Sequence, residues 1–427
     1  MESRMNKFQI RSLNFNVKIA FKDILLFQVW FMILIPFAIS ELGVMRNILY
    51  LADAMNIFLL LATLRKGVQK YYKQVVILAI SIILIGFSGY CLYGESFLAF
   101  MWGLRNTLRY LAFMINCISF FDKNDVINFL AKMEILLPFN FLLGAFQFFV
   151  QGKSGDFLGA MFGTLVGANG YLIAYLCMIL TYVFSKYIFS RVGLLRVLID
   201  IFMVLMLSIF AELKIMFILI AVICIVAILL SKYRLRTGGI IILSVVLLFF
   251  GMKLLAIYNP VSLSYMNSLE QLQWYFTNSY SSQGGIGRSN GFDVINQQFF
   301  NGNYLKQVIG LGLGQCDYSV IRLFSSKFYD QYGWLNYRLF FYAMTYLEMG
   351  VLGLCAYAMF VGRVFIEACK IKDYLFPWIS YMCRFNAVIV VIMAIYNFTL
   401  RSEPGYIWAF LLAIPLIWKK QMALNED

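Results

Sequence analysis

Residues 74–93 read QVVILAISIILIGFSGYCLY, an unbroken run without Asp, Glu, Lys or Arg. A helix needs roughly 20 apolar residues to cross the hydrocarbon layer, and this run is that long. It is bounded by charge on both sides, Lys73 before it and Glu95 after it. Runs of the same kind recur along the whole chain. We place spans at 22–40, 47–63, 74–93, 99–120, 126–150, 168–186, 193–210, 214–231, 239–257, 339–362, 375–398 and 404–418. The fold class expected is an all-α, polytopic integral membrane protein of about twelve helices. Apolar residues are 62% of the chain and charged residues 13%, against roughly 45–50% and 25% in soluble proteins. No polar stretch is long enough to form a separate soluble domain, so 1–427 is read as one membrane domain.

The connectors fix the orientation expected. The N-terminal tail (Arg4, Lys7, Arg11, Lys18), Arg65–Lys73, Lys186–Arg196, Lys232–Arg236, Arg363–Lys372 and Lys419–Lys420 are all basic. With twelve spans they all fall on one side. By the positive-inside rule that side is the cytoplasm, and both termini lie there. The first apolar run is too long for a signal-peptide core and has no small-x-small site after it, so it reads as a retained helix. The segment 258–338 is then one large extracytoplasmic loop, far longer than a passive connector.

The net charge of +14 is carried by these short orientation segments. No basic domain remains to bind nucleic acid, which is not expected as a partner. Histidine is absent, removing the commonest general base and the commonest zinc ligand. No acidic cluster, P-loop or Rossmann pattern is present, so neither a metal nor a cofactor is expected. The cysteines are scattered. Only Cys91 and Cys316 are placed facing outward, and nothing in the sequence calls for a bridge between them.

Several cations break the positive-inside pattern. Arg105 and Arg109 stand four apart in WGLRNTLRY, on one helical face. Lys214 sits in the outer turn AELK. Arg288, Lys306 and Arg322 lie in the large loop, and Arg401 follows in NFTLRSEPG. An intramembrane charge costs roughly 2.5–3.5 kcal/mol on insertion scales, so such residues line cavities or have partners. One reading is snorkelling to headgroups; the other is an anion site. Arginine's planar fork suits phosphate, and lysine serves as a point charge. The outer carboxylates are Glu41, Glu95, Asp156, Glu212, Glu270, Asp293, Asp317, Asp330 and Glu403. Glu212 and Glu403 lie two residues from Lys214 and Arg401, where either is a salt-bridge partner or a general base. The loop's Tyr and Trp residues, Tyr280 among them, suit an interfacial belt or stacking on sugar rings.

Four local segments carry a resemblance: LRNTLRY in the fourth span, FGTLVGANGYLIAYL entering the sixth, AELKIMFILIAV around the eighth, and GRSNGFDVI with VIGLGLGQ in the loop. In this order and topology the chain resembles the O-antigen polymerase (Wzy-type) and O-antigen ligase superfamily of bacterial envelopes. The resemblance implies a GT-C-like glycosyltransferase in the bacterial inner membrane. It implies a metal-independent transfer in which undecaprenyl-pyrophosphate-linked repeat units are polymerised at the outer face. Carried onto this chain, the resemblance implies Arg105, Arg109, Lys214, Arg288 and Arg401 at the pyrophosphate. With the residues read above, the catalytic candidates are Arg288, Arg105 and Glu212, and the substrate-binding candidates are Arg109, Lys214, Arg322, Arg401, Asn169 and Tyr280. Partners implied are the lipid-linked glycan, membrane lipid and a chain-length regulator protein. The family often has arginine where this chain has Lys214, which puts a bidentate contact there in doubt. Ligases commonly place a histidine in the loop; its absence favours a polymerase. The alternatives are an O-antigen ligase and a flippase or other transporter, which usually has short loops and two related halves.

Overall fold

The run at 74–93 folds as one helix, Lys73–Tyr93, and both of its faces are apolar. Val75, Leu78, Ile82, Gly86 and Gly89 turn inward, at spacings of three and four residues that follow the helical period. Ile77, Ile80 and Leu84 are more than half exposed on the other side. The helix Lys123–Phe149 repeats the pattern, with Phe139, Leu142, Phe146 and Phe149 forming an exposed apolar stripe. A soluble helix would carry polar residues there; a stripe of this kind fits contact with lipid tails.

The structure is a computed structural model. It describes residues 7–12, 15–65, 67–230, 268–278 and 285–426, with isolated positions between 238 and 258. A short antiparallel hairpin, β1 Lys7–Ser12 and β2 Phe15–Ala20, comes first, and the other regular elements among the described residues are helices. The helices are α1 Phe21–Glu41, α2 Tyr50–Leu64, α3 Lys73–Tyr93, α4 Phe97–Phe120, α5 Lys123–Phe149, α6 Ala168–Ile188, α7 Leu194–Phe210 and α8 Lys214–Leu230. After these come the short α9 Leu269–Asn278, α10 Gly291–Ile295, α11 Tyr304–Ile309 and α12 Lys327–Tyr332. Three long helices close the fold: α13 Phe341–Lys370, α14 Ile379–Tyr396 and α15 Gly405–Glu426.

Among the described residues, seven helices are long and apolar enough to cross a membrane. They are α1, α2 with the 3-10 turn before it, α3, α5, α6, α13 and α14. The protein is therefore a polytopic, membrane-embedded helical protein. The span expected at 239–257 lies largely outside the described residues, as do the connector 232–236 and Tyr280. Helix α6 is the centre, buried along most of its length, and it packs on α7, α8, α14 and α15. Cys91 and Cys316 are both free thiols; Cys316 is buried and Cys91 exposed.

The large loop does not float above the bundle. Its glycine-rich segment 309–315 threads between α3, α4 and α13. Leu311 and Gly312 donate their N–H groups to the carbonyls of Leu347 and Glu348, at 2.9 and 3.0 Å. On the other side Gly312 lies against Gly89 so closely that a Cβ on Gly89 would sit 2.7 Å from the Gly312 nitrogen. Gly314 has φ +78, and a Cβ there would overlap the Ala99 carbonyl. The side chain of Gln315 completes the docking. It accepts the N–H groups of Glu95 and Ser96 and donates to the Ser96 carbonyl at 2.8 Å.

Overpacking such a contact costs about 1–3 kcal/mol, and a side chain at positive φ adds strain. Gly314→Ala should leave the protein in the membrane but undock the loop. Limited proteolysis of purified protein should then cut within 303–335 at a lower protease dose than in wild type. An unchanged digestion pattern would show that this backbone contact does not hold the loop.

Candidate functional site

The outward cations expected from sequence separate into two groups. The first is an ionic network under the docked loop. Arg105 on α4 is ion-paired with Asp53 on α2 and donates to Asn106 Oδ1 at 2.9 Å. Asn106 passes the connection on by donating to Asp317 Oδ2 at 2.8 Å. Asp317 receives Arg338 at 3.3 Å and Arg401 at 3.5 Å. Arg401 is also ion-paired with Glu348 on α13, whose other oxygen accepts the Gly314 N–H at 2.8 Å. Arg401, Asp317 and Glu348 are each at most 3% exposed.

Three arginines thus meet three carboxylates in this network. Two carboxylates, Asp53 and Glu348, lie within apolar runs read as spans and were not among the outer carboxylates expected. Arg105 also lies over the rings of Tyr50 and Trp102, at 4.8 and 4.6 Å. For Arg105 and Arg401 the structure supplies carboxylate partners in place of an open anion seat. Buried pairs of this kind hold elements in register, and removing one partner leaves an uncompensated charge.

The second group is built on aromatic rings. Arg288 sits in the turn 285–290, which the Tyr342 hydroxyl pins. That hydroxyl donates to the Gly287 carbonyl at 3.2 Å and accepts the Gly291 N–H at 3.1 Å. The turn is also fastened to its surroundings by Ile286 N–H to the Leu335 carbonyl at 2.8 Å. Arg288 is 3% exposed, and its guanidinium lies 4.4 Å from the Tyr275 ring centre and 4.5 Å from that of Tyr396. Lys214 approaches the same Tyr275 ring at 4.9 Å. It stands in the electrostatic field of Arg288 and of Glu212. Arg288, far from Glu212 and Lys214 in sequence, is therefore their neighbour in the fold.

Arg288 also lines a cavity of about 470 Å³ between α3, α4, α13, α14 and α15. The walls are mostly apolar: Leu78, Leu111, Met114, Phe341, Val390 and Trp408 among others. Tyr110 contributes to the same wall, and Arg109 donates to its hydroxyl. Arg109 also stands in the field of Glu403 and Asp53. Burial would push the Glu403 carboxyl up, but Arg109, the local backbone, Arg46 and Arg105 outweigh it and hold it below its ordinary range. A greasy chamber with a buried guanidinium in its wall can take an amphiphile with an apolar tail and an anionic head.

The remaining expected residues lie elsewhere. Asn169 donates to Asp156 at 2.7 Å near the start of α6. Arg322 is exposed on the 3-10 turn Arg322–Phe324. Lys306 approaches the Tyr93 ring at 5.3 Å. Among the described residues no three of His, Cys, Asp and Glu are grouped as a metal site requires.

Breaking the first group should be a stability event. Arg401→Met removes the described ion pair of Glu348 and leaves Asp317 with Arg338, and should cost about 3–5 kcal/mol. The double variant Arg401→Met/Glu348→Leu should recover much of that loss. Thermal unfolding in detergent checks both. Equal melting of Arg401→Met and wild type would contradict the network's structural role.

No protein-family model and no curated protein matches the chain.

Proposed function

We propose that the protein is a metal-independent glycosyltransferase that polymerises oligosaccharide repeat units carried on undecaprenyl pyrophosphate. The observation that carries this reading is the apolar cavity of about 470 Å³ with Arg288 in its wall. A polyprenyl tail is apolar and its pyrophosphate anionic, which is the pairing such a chamber suits. Lys214, sharing the Tyr275 ring with Arg288, adds a second cation beside it, and Arg109 approaches through Tyr110.

The reaction follows from these parts. The acceptor sugar's hydroxyl oxygen attacks the anomeric carbon of the donor. The bond from that carbon to the pyrophosphate oxygen breaks, and the lipid pyrophosphate leaves with the electron pair. Negative charge grows on the leaving oxygen, and Arg288 and Lys214 stabilise it electrostatically. Glu212, in the field of Lys214, takes the hydroxyl proton. In this reading the outer loop covers the reaction, and the network around Arg401 and Arg105 holds that loop in place. The helices and the run at 239–257 make twelve spans in a GT-C-like arrangement. Both termini face the cytoplasm, in a bacterial inner membrane.

Losing a hydrogen bond to a charged group costs roughly 1.5–3 kcal/mol, about a tenfold to hundredfold loss in binding. Arg288→Gln should therefore shorten or abolish the surface-glycan ladder in cells at matched expression, and Arg288→Lys should restore part of it. A normal ladder in Arg288→Gln would remove this residue from the site. Deletion of the gene should leave single repeats on the acceptor; loss of all surface glycan would instead favour a ligase or flippase. Reporters fused after Asn303 and after Lys232 should read opposite sides of the membrane, and the same side from both would overturn the topology.

A further inference from the structure

At the far end of α13 from Glu348, a second carboxylate gathers cations. Gly350, at φ +58, breaks the helix just after Glu348; from there Glu367 lies 17 residues on, about 26 Å along a helix at 1.5 Å per residue, close to the thickness of the hydrocarbon layer. Glu348 and Glu367 thus stand toward opposite ends of the bundle. Glu367 is 4% exposed, and its Oε1 is approached by Lys419 at 3.1 Å, Arg363 at 3.4 Å and Lys370 at 3.6 Å. Gln74 from α3 donates to the same oxygen at 3.4 Å. Three cations against one carboxylate leave two positive charges over.

The other carboxylate clusters at this end of the bundle are differently balanced. Glu134 meets Lys186 and Arg196 with Asp200 close by. Asp373 meets Lys123, and Lys22 meets both Asp122 and Asp125. With Asp200 counted beside Glu134, the group around Glu367 is the one among these described clusters with cations in excess. Its cations also remain reachable: Arg363, Lys370 and Lys419 are 50%, 56% and 32% exposed. Just beyond them, Tyr374 and Leu375 are 95% and 74% exposed. An outward tyrosine and leucine beside a basic cluster suit the headgroup level of a bilayer.

We propose that Arg363, Lys370 and Lys419, held together by Glu367, form a binding site for the phosphate of an anionic phospholipid headgroup. The buried carboxylate gathers side chains that would otherwise repel one another, and the surplus charge is met by the lipid phosphate. The exposed Tyr374 and Leu375 favour a lipid over soluble phosphate, because they offer apolar contact that inorganic phosphate cannot use. This site is independent of the reaction proposed above and lies toward the opposite end of the bundle.

The test counts retained lipid. Protein reconstituted in phosphatidylcholine bilayers containing phosphatidylglycerol is released and weighed intact by native mass spectrometry. Wild type should retain at least one phosphatidylglycerol more than Arg363→Gln/Lys370→Gln/Lys419→Gln. A juxtamembrane cation contributes about fivefold in affinity for an anionic lipid. Lys370→Gln alone, at the longest of the three contacts, should therefore weaken retention by about that factor while melting like wild type. Lys186→Gln, in a balanced cluster, should leave retention unchanged. Equal retention in Lys370→Gln and wild type would overturn the site, and so would an equal loss in Lys186→Gln. Displacement of the lipid by millimolar inorganic phosphate would reassign the site to soluble phosphate and overturn the lipid reading.

Discussion

The half of the bundle beneath the large loop depends on a backbone passing between helices at a distance no side chain permits. Residues 309–315 lie against Gly89 and Gly103 on one side and against the α13 backbone on the other. That approach delivers Gly314 to Glu348 and Asp317 to Arg401 and Arg338. Contact and charge then reinforce one another. The glycines bring the loop close enough for the pairs to form, and the pairs make undocking costly, because it would leave buried charges unmatched. The part of the long loop around 309–317 becomes a fixed roof over the bundle.

With the roof fixed, the cations of this face take up different work. Arg105 and Arg401 stand opposite protein carboxylates. Arg288 and Lys214 are gathered on the ring of Tyr275, next to a chamber with apolar walls. Ring faces attract cations without neutralising them. The apolar chamber beside Arg288 gives a physical reason to seek an anion seat there.

Much of this was legible in the sequence, and the missing part has one cause. Apolar runs such as 74–93 and 168–186 announce membrane helices because length and composition are local properties. The misplaced cations were visible because topology gave no reason for them. Their partners were not. Asp53 and Arg105 are 52 residues apart, and Glu348 and Arg401 are 53 apart; no local pattern links them. Asp53 and Glu348 also lie within apolar runs, where a lone carboxylate reads as part of a span. The segment IGLGLG was visibly glycine-rich, but the need for glycine lies in what faces it, Gly89 and Gly103, more than 200 residues earlier. The chamber is assembled from five helices and has no sequence signature of its own.

The claim on which the functional account turns is that this chamber receives a polyprenyl pyrophosphate with its head at Arg288. A polyprenyl pyrophosphate bearing a photoreactive group on its tail tests it directly, with adducts mapped by mass spectrometry of the purified protein. The account predicts labelling of wall residues such as Leu111, Met114 and Trp408, reduced by excess unmodified lipid pyrophosphate and weakened in Arg288→Gln. Labelling confined to the lipid-facing stripe of Phe139, Leu142 and Phe146, or equally strong labelling in Arg288→Gln, would contradict it.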